Sequence, residues 1–384
     1  MIGISQIGVA IPEYFLSLEE LAKTRKIPPE YATKGLGVFE SRIPYKITIE
    51  ELAKRALEKI NYKDVERFYI GTESDPDLSK PFSVKIINQK LGLSKVPFQY
   101  KFACLGGLQA LLSACEYSFS HSGKPAVVLA VDRSIYSEKD KRAEITQGCA
   151  AVALRIEKSP SILALDFKNI GQFASDIDDF KVPAFSFPFP IVNGELTKIA
   201  FLECQKKALE NWKENNKKFL KGKSVIEKFD YFIFHTPFPK MVEWLGALFW
   251  RHEKLSNKKN RLKLQHCIKK PELFKEYKKE IDKVRKLPEF QKFFAQKIKP
   301  SLKYHRFIGN SYTCSVFLAL LGVLENTKKG KKIGILGYGS GAGAICLSAI
   351  SLINNFKTDL EDQIKKGKKL TFKDYENWRK KYVC

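Results

Sequence analysis

Short apolar runs alternate along the chain with longer stretches that carry helical spacing. The runs are rich in β-branched or aromatic residues and are bounded by Gly, Pro or charged residues, which is typical of strands. We predict a first strand near the N-terminus and further strands at 67–71, 126–132, 150–157, 231–236 and 333–339. Helices are predicted at 48–60, after Cys104, at 201–212 and after Asn310. The alternation predicts an α/β fold in which helices cover the sheets.

Two distant segments of the chain have similar patterns. Residues 104–118 and 311–325 are both runs of small and apolar residues, and each is followed by a Gly-Lys pair and an apolar strand. A helix that is apolar on all sides is packed in the interior of a protein. The pattern therefore predicts two central helices in two duplicated α/β halves that pack face to face. We place the halves at 1–160 and 161–384.

The net charge of the chain excludes few classes of binding partner. The chain carries 67 Lys and Arg against 42 Asp and Glu, which gives a net charge of +25. Such a balance suits nucleic acid, anionic membranes or phosphate-bearing cofactors and carriers. The lysines are spread along most of the chain, most densely at 251–303, and no nucleic-acid motif accompanies them. A solvated lysine surface is the favoured interpretation, and a non-enzymatic nucleic-acid-binding protein is the most remote hypothesis.

The spacing of the cysteines and the length of the apolar stretches indicate the cellular compartment of the protein. The cysteines are scattered without a C-x-x-C pair, which argues against a zinc site and a small disulfide scaffold. The N-terminus has no basic signal region, and the longest apolar stretches, such as 316–324, are well below the ~18 residues of a membrane span. We expect a cytoplasmic protein with no metal site and no membrane partner. The eight cysteines are Cys104, Cys115, Cys149, Cys204, Cys267, Cys314, Cys346 and Cys384.

Cys104 is the candidate nucleophile. It lies where the extended segment PFQYKFA gives way to the first central helix. The N–H groups and the positive dipole end of a helix N-terminus both favour a thiolate. Gly106 and Gly107 each cost the helix roughly 1 kcal/mol relative to Ala, which is understandable if another backbone or a substrate approaches closely there. The other seven cysteines are interpreted as structural.

Glu73 and His235 are the candidate acid–base groups. Each follows a predicted strand, in YIGTESDPD and FIFHTPFPKM, and strand ends are where α/β enzymes place catalytic groups. Taken singly, Glu73 could be a surface residue and His235 a core or capping residue. The remaining histidines, in polar or lysine-rich contexts, are expected to be solvated: His121, His252, His266 and His305.

The segment GYGSGA at 337–342 fits a dinucleotide-binding fingerprint. That fold requires a helix, a second parallel strand and an acidic residue after the glycines. Here one apolar run to Ile353 follows and then a charged segment, which leaves no room for the unit. We interpret the glycines as a tight turn that lines a site.

Seven motifs together resemble those of hydroxymethylglutaryl-CoA synthases, a family of the thiolase-like superfamily. They extend from the first half to the C-terminal glycine turn. The resemblance implies a thiolase-like fold, with the duplicated halves in an α-β-α-β-α layered arrangement. The motifs are GTESD (71–75), FACLGG (102–107), TQGCAAVAL (146–154), PIVNGELT (190–197), FHTPFPKM (234–241), GNSYTCS (309–315) and GYGSG (337–341).

Residue roles follow from the resemblance. It implies that Cys104 takes the acetyl group from acetyl-CoA, that Glu73 removes a proton from the acetyl methyl group, and that His235 positions and protonates the carbonyl oxygen of acetoacetyl-CoA. Hydrolysis then releases hydroxymethylglutaryl-CoA for isoprenoid synthesis through mevalonate. No cofactor is implied beyond the coenzyme A thioesters themselves. The implied substrate and coenzyme A contacts are Thr146, Thr197, Lys240, Asn310 and Ser340.

The chain departs from the family pattern at several positions. Pro28-Pro29 replaces an Asp-Ala pair that touches ligand, and Trp244 replaces a second lysine after the histidine motif. Leu108 stands where a threonine is common, and Gly337 where a serine is common.

These departures bear on coenzyme A affinity, so an alternative stays open. Related enzymes act on acyl-carrier-protein thioesters, in polyketide β-branching or as ketoacyl-ACP synthase III, although the latter use a Cys–His–Asn set. The resemblance also implies a homodimer. Some prokaryotic relatives assemble with acetoacetyl-CoA thiolase through a small zinc-ribbon protein, and the sequence leaves open whether this chain does so.

Overall fold

The computed structural model describes residues 1–77, 79–254 and 264–381. The strands are β1 Ile2–Ala10, β2 Tyr14–Ser17, β3 Glu40–Arg42, β4 Arg67–Gly71, β5 Phe98–Tyr100, β6 Ala126–Arg133, β7 Cys149–Lys158, β8 Leu163–Ile177, β9 Phe180–Lys181, β10 Ile191–Val192, β11 Tyr231–Phe234, β12 Lys332–Gly339, β13 Gly341–Ser351 and β14 Lys368–Lys369. Nine of them form the main sheet, in the order β11-β12-β13-β8-β1-β7-β6-β4-β5.

The helices pack against both faces of this sheet. They are α1 Leu18–Thr24, α2 Ile49–Leu57, α3 Phe82–Val84, α4 Gly106–Ser120, α5 Lys141–Glu144, α6 Gly194–Asn215, α7 Lys217–Leu220, α8 Val225–Lys228, α9 Pro239–Lys254, α10 Leu264–Lys269, α11 Phe274–Arg285, α12 Pro288–Lys297, α13 His305–Ile308, α14 Ser315–Leu324, α15 Leu360–Lys365 and α16 Phe372–Lys380.

The predicted strands and helices are confirmed, with changes at the ends of three of them. The helix predicted at 48–60 is shorter and spans Ile49–Leu57. The strand predicted at 231–236 ends at Phe234, because His235 and Thr236 begin the turn into α9. The helix predicted at 201–212 begins earlier, at Gly194, because the side chain of Asn193 accepts a hydrogen bond from the N–H of Leu196 and caps its first turn.

The same strand pairing occurs twice. β4 pairs parallel with β6, which pairs antiparallel with β7, which pairs antiparallel with β1. β11, β12, β13 and β8 repeat these relations in that order. A central helix precedes the second position of each series, α4 before β6 and α14 before β12. The two series meet where β1 pairs with β8. The duplication is confirmed, and the boundary at residues 160 and 161, between β7 and β8, stays a prediction.

Alternate side chains of the strands enter different layers of the core. On β6, Val128 packs with α4 and α14, whereas Val127 packs with α2. On β11, Ile233 packs with the same two central helices, whereas Phe232 packs with α6 and α9. Because successive side chains of a strand point to opposite faces, the central helices lie between two sheet surfaces and further helices lie outside them. This is the expected α-β-α-β-α order.

The lysine-rich segment 251–303 forms a helical cover over the second half, apart from residues 255–263, which lie outside the described residues. Helices α10, α11 and α12 turn apolar side chains into the core that contains α9. Charged side chains on the other faces pair with one another, for example Arg251 with Glu280 at 2.8 Å. The segment is thus amphipathic, with a solvated basic face. Its buried apolar residues are Leu264, Phe274, Tyr277, Ile281, Val284, Phe290 and Phe293.

Cysteine placement agrees with the structural interpretation wherever the chain is described. Cys384 lies outside the described residues, and the other six cysteines besides Cys104 are buried and free. Across 1–77, 79–254 and 264–381, no helix combines the length and the apolar character needed to cross a lipid bilayer.

Candidate active site

Cys104 lies in a tight turn between β5 and α4. The N–H of Leu105 donates to the carbonyl of Phe102 at 3.0 Å, and the N–H of Gly106 donates to the carbonyl of Ala103 at 3.1 Å. Ala103 has a φ of +44°, a region that residues with a Cβ rarely adopt. The turn therefore holds the thiol at a defined point, two residues before α4 begins.

The two glycines after Cys104 allow other backbone to approach closely. A Cβ on Gly107 would lie 2.6 Å from the carbonyl oxygen of Thr313, in the segment that leads into α14. A Cβ on Gly106 would lie 2.9 Å from the carbonyl oxygen of Tyr100. The prediction of a close backbone approach is confirmed, since any side chain at Gly107 would push the two central helices apart at the site.

Glu73 reaches Cys104 directly. The carboxylate and the thiol are close enough for each to shift the pKa of the other. Burial, the nearby Asp132 carboxylate and, in the opposite direction, the interaction with Cys104 set the pKa of Glu73, which is raised to about 8. Burial and the charge of Glu73 raise the pKa of Cys104 well above its usual value. The expectation of a stabilised thiolate is therefore wrong for the resting site: desolvation and a carboxylate outweigh the helix dipole, and Cys104 rests as a thiol.

Asp132 is a residue that sequence reasoning missed. It lies buried at the end of β6, and one carboxylate oxygen accepts from the hydroxyl of Thr72 at 3.0 Å, the N–H of Glu73 at 2.7 Å, and the N–H and hydroxyl of Ser74 at 3.0 and 2.9 Å. The other accepts from the N–H and hydroxyl of Thr313. Burial raises the pKa of Asp132 above its usual value, and the six donors oppose that rise by stabilising the ionised form. The available signal was an acidic residue near the end of a strand that is apolar up to that point.

His235 follows β11 and is buried. Its backbone N–H donates to the carbonyl of Leu336 at 2.8 Å, which extends the pairing of β11 with β12 by one residue. Burial first, and the neighbouring His305 second, lower the pKa of His235 to about 3. The imidazole is therefore neutral near pH 7 and can act as a hydrogen-bond donor without a positive charge.

Two histidines differ from expectation. His305 was expected to be solvated and is 1% exposed, because the short helix α13 turns it inward against the start of α14. His252 is half-buried on α9. The prediction of solvated side chains is confirmed for His121 and His266.

A cavity of about 530 Å³ opens beside Cys104 and His235. Glu73 does not line it, and adjoins it through its interaction with Cys104. Lys240 also lies outside the lining, and its ammonium pairs with Glu243 at 2.9 Å. The structure thus gathers most of the proposed residues at one cavity. Those that line it are Cys104, Thr146, Thr197, His235, Asn310 and Ser340.

Two tyrosines complete the polar wall. Tyr136 and Tyr312 both line the cavity, and their hydroxyls share a hydrogen bond. Tyr136 is also hydrogen-bonded to Thr146, whose carbonyl accepts from the N–H of Asn310 at 2.8 Å. These contacts fix the two segments relative to each other. Nothing in the local sequence distinguished these tyrosines from core residues.

The glycine-rich segment forms the hairpin turn between β12 and β13, so the dinucleotide fold is absent there and the predicted turn is confirmed. The Asp179 carboxylate anchors it, accepting from the hydroxyl of Tyr338 at 2.8 Å and the N–H of Gly341 at 2.9 Å, with Ser340 as a further partner. The hydroxyl of Thr197 donates to the carbonyl of Asp179 at 2.9 Å. The side chains of Ser340 and Thr197 are therefore both held by Asp179.

Basic and aromatic side chains also line the cavity. Arg142 and Lys198 lie there, and sequence reasoning did not single them out. Trp244, one of the departures from the family pattern, is also in the lining. The Pro28 carbonyl accepts from the N–H of Tyr31 at 2.9 Å, so Pro28-Pro29 leads into a turn whose Tyr31 contributes to the wall.

Two other departures fit each other. A Cβ on Gly337 would lie 2.7 Å from Cδ2 of Leu108 and 3.0 Å from Cδ1 of Leu105. Leu108 therefore occupies the space that a side chain at Gly337 would need. The larger residue at one position and the smaller at the other form a single compensated change.

Comparison with known proteins gives consistent matches. A family model described as hydroxymethylglutaryl-coenzyme A synthase C terminal matches residues 163–380. The hydroxymethylglutaryl-CoA synthase of Haloferax volcanii is 28% identical over 98% of this chain and 90% of the relative.

Two solved structures superpose on most of the chain. MvaS in complex with 3-hydroxy-3-methylglutaryl coenzyme A is 25% identical and has a TM-score of 0.81, over 99% of this chain and 91% of that one. An HMG-CoA synthase complexed with CoA is 27% identical and has a TM-score of 0.76, over 99% and 89%.

Proposed function

The chain belongs to the hydroxymethylglutaryl-CoA synthase family, and on that premise we propose that it condenses acetyl-CoA with acetoacetyl-CoA and water to form 3-hydroxy-3-methylglutaryl-CoA and free coenzyme A. The enzyme is of the acyltransferase type. The observation that carries the proposal is that Cys104 and His235 line one cavity while Glu73 interacts with Cys104 from behind its wall. A nucleophile and a hydrogen-bond donor then face one space, and a base adjoins the nucleophile.

Acetyl transfer is the first step. The Cys104 sulfur attacks the thioester carbonyl of acetyl-CoA, its C–S bond forms, and the bond to the coenzyme A sulfur breaks. Because the pKa of Cys104 is raised, the thiol must lose its proton during the attack. Glu73 is placed to accept that proton and return it to the departing sulfur.

Carbon–carbon bond formation follows on the acetylated Cys104. The Glu73 carboxylate removes a proton from the acetyl methyl group, and the enolate attacks the ketone carbon of acetoacetyl-CoA. A raised pKa makes Glu73 a stronger base than an ordinary carboxylate. His235, neutral at physiological pH, donates to the ketone oxygen as charge develops on it. Water then cleaves the thioester to Cys104 and frees the product.

We assign binding of the coenzyme A moiety to the basic part of this cavity. Arg142 and Lys198 supply positive charge in its lining, which suits the phosphates of a coenzyme A thioester. Thr146, Thr197, Asn310 and Ser340 are proposed substrate contacts from the same lining. Lys240 lies just outside it and would have to leave Glu243 to reach a phosphate.

The wider context of the enzyme is part of the proposal. We place it in the mevalonate route to isoprenoids and, from its free cysteines, in the cytoplasm. We expect a homodimer. Assembly with acetoacetyl-CoA thiolase through a zinc-ribbon protein, as in some prokaryotic relatives, remains a hypothesis for this chain.

The deciding experiment incubates the protein with acetyl-CoA alone and measures its intact mass. We expect one added acetyl group, which maps to the Cys104 peptide and is absent in Cys104→Ala. Addition of acetoacetyl-CoA should then remove the group and yield hydroxymethylglutaryl-CoA. A protein that is never acetylated would refute the proposal. A parallel assay with carrier-protein thioesters tests the alternative, which the named relatives do not favour.

A further inference from the structure

A buried hydrogen-bond network lies behind His235. The N–H of Thr236, the next residue, donates to the hydroxyl of Ser315 at 2.7 Å, and that hydroxyl lies 3.1 Å from the carbonyl of Thr236. His305 Nε2 lies 3.0 Å from the carbonyl oxygen of Ser315 and 3.1 Å from its hydroxyl oxygen. All three of these residues are buried.

The His305 ring lies near two backbone groups, those of Ser315 and Ser301. Nε2 has hydrogen-bond geometry to the Ser315 carbonyl, whereas Nδ1 has no hydrogen-bond partner. Because a carbonyl oxygen can only accept, His305 carries its proton on Nε2 and donates to Ser315. The Ser315 hydroxyl then accepts from Thr236 and donates back to the Thr236 carbonyl. His305 therefore holds the group that fixes both backbone polar atoms of Thr236, the residue after His235.

His235 is thus fixed from two sides. On one side its own N–H donates to the carbonyl of Leu336. On the other side, His305 bonds Ser315, and Ser315 in turn bonds the backbone of Thr236, which adjoins His235. The nearby buried imidazole also disfavours a positive charge on His235. Displacement of a catalytic group by about 1 Å can reduce a rate about 100-fold, so this support bears on the chemistry.

We propose that His305 is a positioning residue for His235, which acts through Ser315 to orient the catalytic imidazole toward the ketone oxygen of the acceptor thioester. The inference rests on the proposed function, because it concerns the step in which His235 acts. It predicts a selective defect. Acetylation of Cys104 uses Glu73 and not His235, so that half-reaction should not depend on His305.

The test compares His305→Leu, His305→Gln and Ser315→Ala with the wild type. Glutamine can present an N–H near the position of Nε2, whereas leucine cannot. We expect acetylation of Cys104 to stay within about twofold in all variants, and kcat for condensation to fall about tenfold or more in His305→Leu and Ser315→Ala. His305→Gln should recover most of that loss. His121→Leu, at an exposed histidine, is the matched control and should match the wild type.

A double variant sharpens the result. If His305 acts through Ser315, His305→Leu combined with Ser315→Ala should be no slower than the slower single variant, because both remove one support. Condensation at the wild-type rate in His305→Leu, multiplicative losses in the double variant, or equal loss in both half-reactions would each overturn the inference. If His305→Leu does not fold, as judged by circular dichroism, the comparison of His305→Gln with Ser315→Ala decides in the same way. A wild type that is not acetylated would instead refute the proposed function.

Discussion

Replacement of Gly337 by serine tests how tightly the wall behind the nucleophile is packed. The new Cβ would lie 2.7 Å from Cδ2 of Leu108 and 3.0 Å from Cδ1 of Leu105, and both leucines are buried. Overpacking of a dense core costs typically about 1–3 kcal/mol. Because two side chains on the nucleophile's turn and helix must move, we expect a loss of about 2–3 kcal/mol in the free energy of unfolding for Gly337→Ser.

The reciprocal change should reverse much of that loss. Leu108→Thr alone removes buried methyl groups and buries a hydroxyl, which we expect to cost about 2–4 kcal/mol. In the double variant Cδ2 of Leu108, the nearer of the two obstructing atoms, is gone while Cδ1 of Leu105 stays in place, and the two hydroxyls can face each other. We therefore expect the double variant to be more stable than the sum of the single changes by about 1.5–3 kcal/mol.

Urea unfolding of the wild type, both single variants and the double variant measures this coupling. Gly194→Ser serves as the control for a glycine-to-serine change, because a Cβ there meets open space. Single losses that add within about 0.5 kcal/mol would refute the reasoning. An unchanged free energy of unfolding in Gly337→Ser would show that Leu105 and Leu108 can move aside freely.

Three further predictions concern charge. The rate of Cys104 acetylation should rise as the pH approaches about 8, because Glu73 acts as a carboxylate and its pKa is raised to about 8; Glu73→Gln should lower the rate about 100-fold or more and flatten a quench-flow pH profile that is otherwise sloped. Asp132→Asn removes a charge that raises the pKa of Glu73, so the midpoint of that profile should move to lower pH, and an unchanged midpoint would count against this account. Arg25→Met removes one partner of the buried Glu144, which keeps Arg379 at 3.2 Å and the Tyr375 hydroxyl at 2.8 Å; the loss in urea unfolding should therefore be about 2 kcal/mol, and a loss below about 0.5 kcal/mol would contradict this prediction.

Local sequence patterns were enough to predict much of the fold and part of the candidate site. Strand and helix positions follow from periodicity because each element buries one face or both. The glycines after Cys104 were also informative in themselves, since a residue that weakens a helix signals a close approach of backbone, here the carbonyl of Thr313.

Other features depend on contacts between distant segments. Asp132 matters because Thr313 lies 181 positions away in the chain and donates to it. His305 stands among basic and polar residues and is buried only because α13 packs against the start of α14. The pKa of Cys104 rises because its site is buried and Glu73 is adjacent in space. No local pattern encodes these contacts.

The position of Asp132 connects the electrostatics of the site with its assembly. One carboxylate oxygen binds the segment that carries Glu73, in the first series of strands, and the other binds Thr313, which leads into the central helix of the second. The same charge contributes to the raised pKa of Glu73. Asp132 therefore contributes to two properties at once: the base strength of Glu73, to which burial contributes most, and the contact between the two halves. A substitution of Asp132 is expected to change both.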